Sequence, residues 1–185
     1  MTDPAGVADT DDLRSSAPLH DSLLALLPLV GRWQGTGHGV APISRAEFDY
    51  RQDVRFSHDG RPFLAYESRS WLIEVDPAPD ADPAQARILR GAWRESGFWR
   101  VGAGQDDIEV VLASNTGEAL VLTGTAGVTS WEVGSISVAS APTAKTVGGE
   151  RRLYGLLAGQ LVYATELAPA GAPYEPHLNA RLRRL

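Results

Sequence analysis

Between Ala46 and Phe56 the chain reads AEFDYRQDVRF: Phe48, Tyr50, Val54 and Phe56 share one parity, Glu47, Asp49, Arg51, Asp53 and Arg55 the other. A helix would turn several of these charges into its buried stripe. A β-strand with one dry and one wet face accommodates all of them. The segment therefore commits this part of the chain to a half-buried sheet.

The rest of the sequence repeats the theme. His58-Asp59-Gly60 reads as a hairpin turn, and a second strand is expected over 62–75. A Pro/Asp-rich surface loop, 76–86, interrupts the pattern. Strands are then expected over 88–101, 107–113, 119–123, 128–138, 145–157 and 161–167, separated by turns such as GAGQDD, SNTGE, TAGV and LAGQ. A last strand-like run, EPHLNARLRRL, ends the sequence. Only one helix is convincing: DSLLALL, with Asp21 as its N-cap and Pro28 as its stop. Many short strands with Gly and Asp turns imply an antiparallel sandwich or barrel, and the 19 glycines suit strands that must bend to close.

Composition removes whole classes of function. At 185 residues, 43% hydrophobic and 22% charged, the chain is of ordinary one-domain, globular make-up. With no cysteine it has no thiol nucleophile, Cys-ligated zinc, iron–sulfur cluster or disulfide. The net charge is −6, and no basic patch points to nucleic acid as a partner. No apolar run approaches the roughly 20 residues that span a bilayer. Residues 1–18 read as a disordered acidic leader that contributes nothing to folding, and 19–185 as the folded domain. The leader lacks the basic and apolar regions of a secretory signal, so the expected location is the cytoplasm, with no membrane partner.

Few motifs carry chemistry on their own. GRWQGTGHG (residues 31–39) fails as a dinucleotide loop, because Val40 stands where a small residue is required and Pro42 blocks the receiving helix. It reads instead as a first barrel strand, with Trp33 plugging one end of the core. There is no G-x-S-x-G elbow, and His20, His38, His58 and His177 are scattered singly. His20 and His58 are expected in solvent, and His38 at a barrel rim. His177 alone reads as a surface or satisfied core residue, yet a neutral imidazole at a cavity mouth can ligate haem iron with no second protein ligand. Lys145 reads as a solvated strand lysine, or in a haem site as the partner of a propionate. Arg151, Arg152, Arg181, Arg183 and Arg184 form an exposed basic face or ring a pocket entrance.

GRWQGTG, FSHDGRPFLAYESRSW, APTAKTVGGERRLYG and PHLNARL occur in this order, and with them the chain from about His20 onward resembles the nitrobindin family, also described as haem-binding peroxynitrite isomerases. The resemblance implies an all-β closed antiparallel barrel of about ten strands, shaped like fatty-acid-binding proteins and lipocalins, with a ferric haem b at one end. It implies that His177 is the axial iron ligand, that Lys145 contacts the haem, and that Gly31, Trp33, Gly35 and Gly37 line the pocket. It implies isomerisation of peroxynitrite to nitrate, and nitric oxide binding, by a monomer or homodimer with no catalytic residue beyond the haem iron. At the family's pocket threonine this chain has Ile43, followed by Ser44. The alternatives are a nitric oxide sensor or carrier without catalysis, or a lipocalin-like binder of small apolar molecules.

Simple alternation conflicts with the ligand assignment. His177 shares parity with Asn179, Arg181 and Arg183, opposite Leu178, Ala180 and Leu182. If the leucines fill the barrel, His177 faces outward unless a bulge near Pro176, or a haem seated across the strand end, intervenes.

Overall fold

The computed structural model describes residues 8–14, 18–75, 85–104, 106–145 and 147–185. Ten antiparallel strands close on themselves. They are β1 (Gly31–Val40), β2 (Glu47–Ser57), β3 (Leu64–Glu74), β4 (Arg87–Val101), β5 (Asp107–Ser114), β6 (Glu118–Ala126), β7 (Ser130–Ser140), β8 (Val147–Leu157), β9 (Gln160–Pro169) and β10 (Glu175–Arg184). Each strand pairs with its chain neighbours, and β10 pairs back onto β1. The barrel class expected from the sequence is therefore the fold observed. The alternation in β2 works as read: Tyr50, Val54 and Phe56 are buried.

One end of the barrel is plugged. Leu23, Leu26 and Leu29 of a 3-10 helix, Asp21–Leu29, are fully buried. The helix is pinned by two indoles, since Trp33 Nε1 donates to the Leu29 carbonyl at 2.8 Å and Trp131 Nε1 to the Ala25 carbonyl at 2.8 Å. Its boundaries differ from those expected. His20 is the N-cap, its ring accepting from Ser22 N, and Pro28 lies inside the element rather than ending it. A proline without an N–H is tolerated in so short and tight a helix, where few ladder bonds are lost.

Residues 8–14 correct the reading of the leader. Thr10 forms a two-way backbone bridge with His58 (2.8 and 2.9 Å), and Asp11 Oδ2 accepts from Arg32 Nε at 2.7 Å and from Arg55 Nε at 2.6 Å. Partial burial raises the Asp11 pKa, but the two guanidinium hydrogen bonds outweigh it and hold the carboxyl below its ordinary value. His58 is consequently buried, not solvated, and neither ring nitrogen has a partner among the described residues. The loop 76–84, the first residues of the leader and 15–17 lie outside the described residues. Asp11→Ala is expected to cost about 1–2 kcal/mol, the loss of two charge-assisted contacts to partly exposed arginines, and to lower Tm by a few degrees. Thermal unfolding of parent and variant at low and high salt checks this; identical curves would mean the leader only rests on the barrel.

Candidate functional site

The end opposite the helix is open. The loops after β1, between β5 and β6 and between β7 and β8, with the adjoining ends of β2, β3, β4, β9 and β10, surround a cavity of about 710 Å³. Its wall is largely apolar, with Phe48, Leu72, Trp93, Leu120, Leu167 and Leu178 among its residues. That size and lining suit an organic ligand of cofactor dimensions.

His177 reaches this cavity because β10 is irregular. The ladder with β9 pairs Pro176 with Glu166 and Leu178 with Thr165, so His177 is the extra residue of a bulge. Leu178 N donates to the Thr165 hydroxyl at 3.2 Å beside the irregularity. A bulge turns neighbouring side chains off their alternate faces, and both His177 and Leu178 line the cavity as a result. The conflict posed by alternation is resolved by this one extra residue.

The imidazole is oriented. Its Nδ1 lies 2.8 Å from the carbonyl oxygen of Val40, the last residue of β1, and therefore carries the proton. Nε2 has no hydrogen bond or ion pair among the described residues and keeps its lone pair. Burial pushes the His177 pKa down; the positive charges of Arg152 and Lys145 act the same way, while the Val40 bond and Glu95 oppose them. A neutral ring with one nitrogen tied to a backbone carbonyl is the usual state of an imidazole that ligates metal. Among the described residues no cluster of three His, Asp or Glu side chains stands ready for a bare ion. An iron held here needs its other donors from a macrocycle, and the apolar cavity has room for one.

The remaining candidates separate into two groups. Lys145 lines the cavity, but as an exposed residue of the β7–β8 connection and not on a strand; β8 starts at Val147, after the turn closed by Ala144 N to the Ala141 carbonyl. Ile43 and Ser44 also line the rim, so this chain offers one hydroxyl there, a residue later than the threonine position. Gly31, Trp33, Gly35 and Gly37 are not among the lining residues. A Cβ on Gly35 would lie 2.0 Å from the Arg181 carbonyl oxygen, and one on Gly37 2.3 Å from that of Asn179. These glycines let β1 approach β10. They shape the wall, not the cavity surface, and Trp33 belongs to the plugged end. His38 sits outside the lining as well, 3.0 Å from Asp49.

The arginines do not ring the entrance. Arg151, Arg181, Arg183 and Arg184 are not among the lining residues, and the Arg184 guanidinium stacks 4.1 Å over Trp33. Arg152 is buried beneath the cavity. Its Nη1 and Nη2 donate to the two oxygens of Glu95 at 2.9 and 2.6 Å, and Nη2 also to Glu150 at 3.1 Å. Glu95 and Glu150 face the cavity, a pairing that no sequence motif announces. The available signal is parity: Glu150, Arg152 and Tyr154 alternate with outward residues, and so do Trp93, Glu95 and Trp99.

Comparison with known proteins settles the family. A profile described as THAP4-like, heme-binding beta-barrel domain matches residues 22–184. The chain belongs to this family of haem-binding barrels. Its relatives include a peroxynitrite isomerase of Salinispora arenicola, 41% identical over 187 residues that cover 99% of this chain and 90% of that protein. A ferric nitrobindin-like protein of Nocardia farcinica is 41% identical over 183 residues, 95% of this chain and 72% of the relative. The crystal structure of Rv2717c from M. tuberculosis superposes with a TM-score of 0.75 at 31% identity, covering 90% of this chain and 99% of that one. Within this haem-barrel family, the described residues of the chain include no helix long and apolar enough to cross a membrane.

Proposed function

We propose that this chain is a haem-dependent peroxynitrite isomerase in which Nε2 of His177 is the protein's ligand to a ferric haem b. The observation that carries the reading is the oriented, neutral imidazole at an apolar cavity of cofactor size. Relatives named peroxynitrite isomerase, about 40% identical over nearly the whole chain, support it. When bound, the haem would supply a Lewis-acid iron able to polarise an anionic substrate, with His177 as the residue that would hold it. Peroxynitrite and nitrate are isomers, so the chain has no proton or electron to deliver over a turnover. Its residues do other work. The Val40 carbonyl holds the His177 tautomer and makes Nε2 a better donor. Phe48, Leu72, Trp93 and Leu178 give the cavity an apolar wall that would shield a bound ligand from water. Nitric oxide, a small neutral ligand of the same iron, belongs to the same proposal.

The test has two stages. Protein titrated with haemin should develop a Soret band at one equivalent, and the loaded protein should speed peroxynitrite decay with nitrate as the product. A Soret band with unchanged decay would leave a nitric oxide carrier; no band would leave a binder of apolar molecules.

Lys145 is the cation we assign to a haem propionate. Because it is exposed, the pair is weak, and Lys145→Ala should loosen haem only about threefold to fivefold. The spectrum of the saturated variant should match the parent, and added salt should erase the difference. Equal affinity at low salt would return Lys145 to the solvent.

A further inference from the structure

Beneath the cavity, one guanidinium serves two carboxylates. Side-chain exposure is 4% for Arg152, 13% for Glu95 and 10% for Glu150. Burying three ionisable groups is expensive, and an apolar floor would be no less stable. The cluster is also unequal. Glu95 accepts both Nη atoms of Arg152 and the Tyr66 hydroxyl at 3.2 Å, three donors in all. Glu150 accepts only one Nη at 3.1 Å, and its 2.8 Å contact with Arg152 Nε lacks a hydrogen-bonding angle. Arg152 is thus neutralised by Glu95, and Glu150 is the surplus acid on the cavity floor.

We propose that Glu150 is a specificity residue for the charge of the ligand: carrying a proton it leaves the floor neutral and admits an anion, and without the proton the floor turns net negative and repels one. The inference rests on the haem reading above and adds to it a pH-dependent selection of ligands.

The surroundings agree. Burial raises the Glu150 pKa; Arg152 opposes this, while Glu95 and, more weakly, Glu118 add to it. Glu95, in contrast, is held below the ordinary range: desolvation raises it, but the charge and hydrogen bonds of Arg152 and the Tyr66 hydroxyl prevail. The groups facing the acid are Glu95 from β4, Glu118 from β6, Arg152 and Tyr154 from β8, and Tyr66 and Tyr163 from β3 and β9. Burial lifts all three phenols above their usual value, so they stay neutral. With Glu95 held by Arg152 and the phenols neutral, Glu150 is the acid of the floor whose charge is free to change; Glu47, Arg90, Lys145 and His177 line the same cavity and complete its ionisable groups. Glu150 lines the open cavity, which gives its carboxyl a route to solvent.

Fluoride bound to the ferric haem protein is the anionic probe, and carbon monoxide bound to the ferrous form is the neutral one. From mildly acid to mildly alkaline pH, parent fluoride affinity should fall away from that of Glu150→Gln by about tenfold, the effect of one unit charge across roughly 12 Å at an effective dielectric constant of about 20. At the acid end the two proteins should agree, and carbon monoxide affinity should be the same in both throughout. Glu95→Gln, which leaves Glu150 as the only counter-charge of Arg152, should also hold fluoride affinity level. In haem-free protein, infrared difference spectra should show a protonated carboxyl stretch that Glu150→Gln lacks. Parallel fluoride curves for parent and Glu150→Gln, or no such carboxyl band, would overturn the proposal. Absence of a Soret band in every form would instead overturn the haem reading, which separates the two failures.

Discussion

His177→Ala is expected to abolish stable haem binding, with loss or a large shift of the ferric Soret band and no change in the all-β far-UV spectrum. The variant removes the one imidazole whose free nitrogen opens on the cavity. Losing an orienting partner of a metal ligand typically costs about 10–100-fold in affinity, so losing the ligand itself should exceed that range. The fold should survive. His177 is an unpaired bulge residue, and the neighbouring ladder runs through Leu178 and Pro176. Exogenous imidazole should restore part of the band by occupying the vacated space. A Soret band indistinguishable from the parent would place the iron on another group, and His38, held by Asp49 outside the lining, offers no good substitute.

Gly35→Ala should do the opposite, damaging the fold before the site. The added methyl would meet backbone on three atoms: the Arg181 carbonyl oxygen at 2.0 Å, Leu182 Cα at 2.9 Å and Arg181 C at 3.0 Å. None of these can swing aside as a side chain would, so β1 and β10 must separate at the register pair Gly35–Leu182. Overpacking of well-packed interiors costs about 1–3 kcal/mol where side chains can adjust, and a backbone-only collision should reach or exceed the top of that range. Tm should drop by roughly 6–12 °C, taking about 2–4 °C per kcal/mol for a chain of this size. Gly91→Ala is the matched control: nothing lies within 4 Å of its Cβ position. If both variants melt like the parent, the strands are not in this close contact.

The sequence discloses the barrel more fully than the site, and the reason lies in range. The alternation of β2 is a local property of the chain, readable from a dozen residues, and it specifies its own face. The bulge at His177 is not local. It depends on the Thr165 hydroxyl of β9 taking the Leu178 N–H and on the Val40 carbonyl of β1 taking the ring. His58 shows the same limit. It looks like a turn histidine until Thr10, far away in the chain, comes to cover it. The Gly-rich strand is recognisable as a unit, but sequence does not tell a glycine that admits a ligand from one that admits a neighbouring strand. Glu150 and Arg152 are hidden by charge itself: the run ERR favours solvent, and only the inward parity with Tyr154 argues otherwise.

The seam of the barrel has a temporal meaning. Strand β1 waits through the synthesis of eight others before β10 supplies its second neighbour, with Trp33 opposite Arg184 and Gly39 opposite Leu178. Such distant pairing carries a large loop-closure cost and is slow. The bulge that aims the imidazole exists only once β10 has docked on β9, and the carbonyl that holds the ring arrives only when β10 also meets β1. A chain whose β10 has not yet docked therefore has no oriented imidazole to present. Cofactor capture through this ring belongs after closure of the seam, so that a macrocycle meets a finished container, not an open sheet.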